Sequence, residues 1–205
     1  LVDVDDAVGG RATERQAIIS QAWGLWLAGE SIPPCPLFSE WDGTGVTLAA
    51  ANLTVGPGTT LHANATGYAA TQGLGYLANK GGTHGGRGGG NTVAAYGSAT
   101  APITLGSGGE NGKGGGAIRI SVGAGTVTLN GTLSADGEAS PGLSAGAGGS
   151  LYISCGTLNG SGILSAKGGA GANGGGGGGG AGALGAGKST VASLSSILSS
   201  GGSVD

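Results

Sequence analysis

Few residues in this chain are of a type that does chemistry, and most stand alone. The most explicit pattern is Gly182–Ser189, which reads G-x-x-x-x-G-K-S. In that spacing a glycine loop cradles phosphates, a lysine reaches their charge and a hydroxyl meets Mg²⁺. The same chemistry needs a buried strand before the loop, a helix after it and a separate acid for the metal. Here an unbroken glycine run, 174–180, and Ala181 precede Gly182, and the only acid downstream is Asp205. The expectation is a chance match in a glycine-saturated chain.

The remaining candidates form smaller sets. Cleavage of polysaccharides needs a cluster of carboxylates, with or without Ca²⁺. Between Gly43 and Ser203 the acids are Glu110, Asp136 and Glu138 alone. Asp136 and Glu138 could share one ion, but two ligands fall short of the roughly six to eight oxygens that calcium takes. They read as solvated corner residues. Asp3, Asp5 and Asp6 lack the glycine and distal glutamate of a calcium loop and read as a solvated strand or tail. His62 has no second ligand nearby, and Cys35 and Cys155 are spaced neither as metal ligands nor as a disulfide framework. Two buried small hydrophobes are expected there rather than a bridge. No catalytic residue, metal or cofactor is expected.

His84 and Arg87, in THGGRGG, are the most distinctive polar pair. The glycines around them would let a ligand come close, which makes both candidate ligand contacts. The alternative is that they donate to backbone carbonyls and pin the tract. Asn52, Asn64, Asn130 and Asn159 each begin an N-x-[ST] sequon and are candidate glycosylation sites. Asn and Thr are equally ordinary at the corners of a repetitive β-fold.

The elements that must position these residues are unusual. The chain has 205 residues, of which 52 are Gly, with no Met, one Phe and only 9% charged side chains. Small side chains must therefore carry the packing. A net charge of −3, with no basic cluster, gives no support for nucleic-acid binding. No apolar stretch approaches the ~18 residues of a membrane span. Without an initiator Met the chain reads as a mature form or an excised fragment.

Residues 1–42 hold all three Trp, the only Phe and seven of the eleven acids, and read as a helical cap or assembly element. Within them TERQAIISQAWGLWLAG has a capping box at Thr13 and Gln16, a stop at Gly29 and an apolar face of Ile19, Ala22, Trp23, Trp26 and Leu27. Trp23 and Trp26 are the candidate assembly contacts. Residues 43–180 change to short alternating runs broken by Gly, and 181–205 read as a C-terminal tail or short helix, a terminal strand being a further reading of the segment from Ser189. In the middle region Leu129-Asn130-Gly131 recurs as Leu158-Asn159-Gly160, Thr132–Gly137 as Ile163–Gly168 and AIRIS (117–121) as SLYIS (150–154). These offsets of 29 to 33 residues, with a fainter relative at Thr60–Asn64, predict stacked, similar units of a parallel β-solenoid. Glycine tracts at 81–90, 106–116, 142–149 and 168–182 separate the strands. They read either as flexible loops or as extended segments packed backbone to backbone, including polyglycine helices. Their recurrence at one point of the repeat favours ordered packing.

The pattern GGTHGGRGGG…GGGAIRI…GTLSADG…GGSLYISCGTLNGSGILSAKGGAG over residues 43–180 resembles the glycine-rich, β-helix-like modules of very large bacterial secreted and surface proteins. The resemblance implies an exported, extracellular structural or adhesive protein with a right-handed parallel β-helix core, and it brings no catalytic residues. The functional expectation is a non-enzymatic protein that self-assembles head to tail, through unpaired end strands, into an extracellular fibre, matrix or surface layer. The alternatives are a carbohydrate-binding or adhesive module around His84, Arg87, Tyr68 and Tyr96, an ice- or mineral-binding surface, and a polysaccharide-cleaving β-helix.

Overall fold

The structure, a computed structural model, describes residues 2–5, 45–141, 144–171, 176–178, 181–186 and 196–198. Those residues are mainly β, and none of them is helical. The helix expected at 13–28, with Trp23 and Trp26, lies outside the described residues, as does Cys35.

The strands form three sheets; three successive circuits of the chain each contribute one strand to every sheet, and a further circuit adds β11 and β12 to two of them. The first sheet stacks β2 (Val46–Ala49), β5 (Ala117–Ser121), β8 (Ser150–Cys155) and β11 (Ala181–Ala186), all parallel. The second stacks β3 (Asn52–Val55), β6 (Thr126–Leu129) and β9 (Thr157–Asn159), again parallel. The third stacks β4 (Thr60–His62), β7 (Thr132–Ser134), β10 (Ile163–Ser165) and β12 (Ser196–Leu198). This arrangement is compatible with a β-solenoid. One strand departs from it: β1 (Val2–Asp5) pairs antiparallel with the outer edge of β3.

Period-2 alternation explains why these short runs become strands. In β3 Leu53 and Val55 are buried while Asn52 and Thr54 are exposed. The inward side chains then align from circuit to circuit. Leu61, Leu133 and Leu164 share one register position, as do Leu53, Val127 and Leu158, and Leu48, Ile120 and Ile153. All nine belong to a single apolar core. Cys155 follows Ser154, the partner of Ser121, and so stands level with Val122 as a buried packing residue.

The strands sharpen the sequence reading at two places. Leu158 pairs with Val127, not with the Leu129 that the LNG repeat suggests, because the true offset in this sheet is 31 residues. A slip of two keeps every side chain on its face, so sequence identity alone does not fix the register. Residues 181–186, read from sequence as the start of a tail, form β11, and 196–198, for which a terminal strand is one of the readings, form β12, so the stacking continues past residue 180.

The glycine-rich segments 63–116, 135–149 and 166–180 all leave the sheets at the same place, between a strand of the third sheet and the next strand of the first. Their described residues are tied to one another by backbone bonds. Gly115 N–H donates to Ala147 O (2.8 Å), Gly148 N–H to Gly178 O (2.9 Å) and Gly178 N–H to Gly82 O (2.8 Å), so each segment is tied to both others. At the closest approaches, geometry leaves no room for a side chain. A Cβ placed on Gly146 would collide with the Lys113 carbonyl, and one on Gly149 with the Gly116 carbonyl.

Gly146→Ala is accordingly expected to lower stability by about 3 kcal/mol, since it forces two backbones apart. Gly123, at φ 57° with nothing within 4 Å of an added Cβ, serves as the comparison. Gly123→Ala is expected to cost only the ~1 kcal/mol of a left-handed alanine. Urea unfolding of both variants checks the difference, and equal losses would show that the glycine segments are not close-packed.

Candidate functional site

The tract that carries His84 runs through the interior of the glycine bundle, and the imidazole is fully buried. Its Nδ1 lies 2.8 Å from Gly148 O and its Nε2 2.8 Å from Thr104 Oγ1. A carbonyl can only accept, so Nδ1 carries the proton and the neutral ring accepts from the Thr104 hydroxyl through Nε2. Burial pulls the imidazole pKa below its usual value of 6.5. The Tyr96 ring meets it edge-on at 4.8 Å and 61°. The Tyr96 hydroxyl donates to Leu105 O (2.6 Å) and lies 2.8 Å from Ser107 Oγ, which in turn accepts from Gly75 N–H (2.8 Å). Burial pushes the Tyr96 phenol up to about 12.

Arg87 does not join this group. It is exposed, and among the described residues its side chain makes no hydrogen bond or ion pair. The structure therefore buries one candidate ligand contact and exposes the other, and the protein itself occupies both nitrogens of His84. Tyr68 is half-buried.

The three acids of the middle region are held at three different places. Asp136 Oδ1 accepts from Ser165 Oγ (2.6 Å) and from Lys167 N–H (2.7 Å). One circuit earlier Asn64 Oδ1 accepts from Asp136 N–H (2.8 Å). Asn64, Asp136 and Lys167 each lie two residues beyond their strand of the third sheet, so each Asx side chain caps the N–H stacked on it by the next circuit. Asn52 does the same for Thr126 N–H (2.8 Å) and Asn130 for Ser161 N–H (3.2 Å). Three of the four sequon asparagines thus have a structural task at their oxygen. The fourth, Asn159, is half-buried at the end of β9 opposite Thr128.

Glu138 accepts from Lys113 N–H (2.9 Å). Glu110 accepts from Tyr76 Oη (2.7 Å) and Asn79 N–H (3.0 Å), and these bonds hold its carboxyl below the usual range. Asp136 and Glu138, expected as solvated corners, are acceptors that join one stretch of chain to another. Among the described residues no group of three His, Cys, Asp or Glu could hold a metal ion. His62 is exposed on β4. Burial raises the pKa of the Cys155 thiol, away from nucleophilic use.

The phosphate-loop pattern has its first five residues inside β11, opposite Leu151–Cys155 of β8. An extended strand in a ladder has its N–H groups directed at a neighbouring strand, whereas a phosphate cradle needs them converging on one point. Gly187, Lys188 and Ser189 lie outside the described residues.

Sequence reading missed Asn91, which is buried and fully satisfied. Its Nδ2 donates to Gly75 O (2.9 Å) and Gly81 O (2.7 Å), and its Oδ1 accepts from Val93 N–H (2.9 Å). The available signal was a lone amide ending a glycine tract, GGGN.

His84→Ala is expected to cost about 2–4 kcal/mol by stranding the Gly148 carbonyl in a dry site. Because the folded pKa of His84 lies below the unfolded one, the unfolded chain binds more protons below pH 6.5. Stability should therefore fall as pH drops from about 6.5 to about 5, more steeply in the native protein than in His84→Gln. Thermal melts across that window check the sign. At the corner, Asp136→Ala should cost about 1 kcal/mol. Asp136→Asn, which keeps the accepting oxygen, should cost clearly less, and added Ca²⁺ should shift neither melting curve.

No family model, no curated protein and no solved structure matches this chain, so its chemistry is carried by the geometry above.

Proposed function

We propose that this chain is an exported, non-catalytic structural module whose task is mechanical: a right-handed parallel β-helix, braced by polyglycine-type helices, that assembles head to tail into an extracellular fibre, matrix or surface layer. The observation that carries this reading is where the polar side chains go. His84, Asn91, Asp136, Glu110 and Glu138 each accept from or donate to the protein's own backbone. Such groups brace a framework, whereas catalysis needs them aimed at a shared space. Right-handed winding is what a parallel crossover between twisted strands favours. Export rests on the resemblance of the glycine-and-strand pattern to secreted modules.

Assembly follows from the ends of the sheets. Among the described residues β2 and β4 are each paired on one side only, so the first circuit offers strand edges to another copy. The contact would be heterologous and would not close on itself. On the second sheet the corresponding edge of β3 is already covered by β1. Head-to-tail stacking therefore requires β1 to move aside, or confines the contact to the other two sheets.

Negative-stain microscopy of concentrated protein tests the proposal. Filaments or sheets are expected, with more of them when residues 1–5 are removed to bare β3. Monodisperse single particles for both proteins would overturn it.

A further inference from the structure

We propose that the outer face of the first sheet, around Arg119, binds the carboxylate of an acidic saccharide. This goes beyond the assembly reading and does not depend on it. Thr47, Arg119 and Tyr152 occupy one register position on β2, β5 and β8, and so form a column across that face. The Arg119 guanidinium lies 5.6 Å from the centre of the Tyr152 ring, a cation–π contact that limits the side chain's freedom. Arg119 is exposed and makes no hydrogen bond or ion pair among the described residues. It is a held fork whose donors lack an acceptor among the described residues.

Beside it is a concavity of about 100 Å³ lined by Gly45, Val46, Thr47, Ile103, Ala117 and Arg119. The segment that forms its far wall is fastened down, since Ser150 Oγ donates to Thr104 O (2.6 Å). On that wall Ile103 is 51% exposed, an apolar surface next to a cation and the Thr47 hydroxyl. Three chemistries therefore meet: a planar fork that matches a carboxylate bidentately, an apolar wall for a C–H face, and a hydroxyl for a second polar group. A uronate sugar presents all three, with a carboxylate at the ring edge, an apolar ring face and flanking hydroxyls. The volume admits the acid-bearing edge of one sugar rather than a whole ligand, which implies weak single sites that gain strength by repetition along a polymer.

The chain's net charge of −3 gives no general attraction to a polyanion, so retention would report a local site. Affinity electrophoresis in gels containing polygalacturonate, or dextran as the neutral control, is the test. The native protein is expected to be retarded by polygalacturonate alone and released by free galacturonate. Arg119→Ala should weaken retardation about ten-fold or more, the loss expected for a charge-assisted hydrogen bond. Arg119→Lys, which keeps the charge but loses the fork, should weaken it nearly as much. Melting curves matching the native protein confirm that both variants fold. No retardation, equal retardation by dextran, an unchanged Arg119→Ala, or release by inorganic phosphate as effective as by galacturonate would each overturn the proposal.

Discussion

Carbonyl oxygens stand where Cβ atoms would be, and most of this structure depends on that constraint. In the glycine bundle the backbones of segments 63–116, 135–149 and 166–180 approach closely enough to bond directly, as in the run from Gly115 to Ala147 and from Gly148 to Gly178 to Gly82. An alanine at Gly114, Gly146 or Gly149 would place a methyl carbon on a neighbouring carbonyl. Hydrogen bonding and steric exclusion here are one requirement: the N–H groups find acceptors only because no side chain separates the segments. High glycine content therefore produces order in this chain, although glycine costs more backbone entropy on folding than any other residue.

Where segments meet through glycine alone, little defines how they slide or rotate, and a few polar residues supply that definition. His84 joins Gly148 to Thr104, Asn91 joins Gly75 to Gly81, and the Tyr96 hydroxyl meets Leu105 and Ser107. His84 links stretches that are distant in sequence, while Asn91 and Tyr96 fasten parts of segment 63–116 to one another, and each is buried or partly so, where an unmade bond is costly. The β-stack uses a different device. Its aliphatic columns fix which face is inside, and its corners are locked by Asn52, Asn64, Asn130 and Asp136, each capping an N–H of the following circuit. At the next circuit the position of Asn64 and Asp136 is held by Lys167, which has no acceptor to offer.

These two devices account for why the residues most suggestive of chemistry have structural tasks. A histidine among glycines can bind a ligand or can satisfy carbonyls, and burial decides for the second at His84 because both nitrogens already have partners. Gly182 and Gly185 of the phosphate-loop pattern are drawn into β11, where pairing with β8 aims their N–H groups sideways. Arg119 received no notice in sequence, since a single arginine in AIRIS looks like any solvated strand residue. Stacking places it between Thr47 and Tyr152 and beside Ile103, residues far apart in the chain.

Alternation of apolar and polar residues and the recurrence of AIRIS as SLYIS are local properties, and so the sequence by itself determined the β character, the stacked units, the buried faces and the packing role of Cys155. The 31-residue offset that pairs Leu158 with Val127 lies beyond it, because a two-residue slip preserves every inside-outside assignment while changing every partner. The continuation through Ala181–Ala186 lies beyond it as well, since its glycine and alanine residues carry almost no strand propensity and owe their conformation to β8 beside them. Tertiary structure alone decided which glycine meets which carbonyl, which way His84 and Arg87 turn, and that β1 runs antiparallel along β3. Those outcomes depend on contacts between segments many residues apart, and no local pattern encodes such contacts.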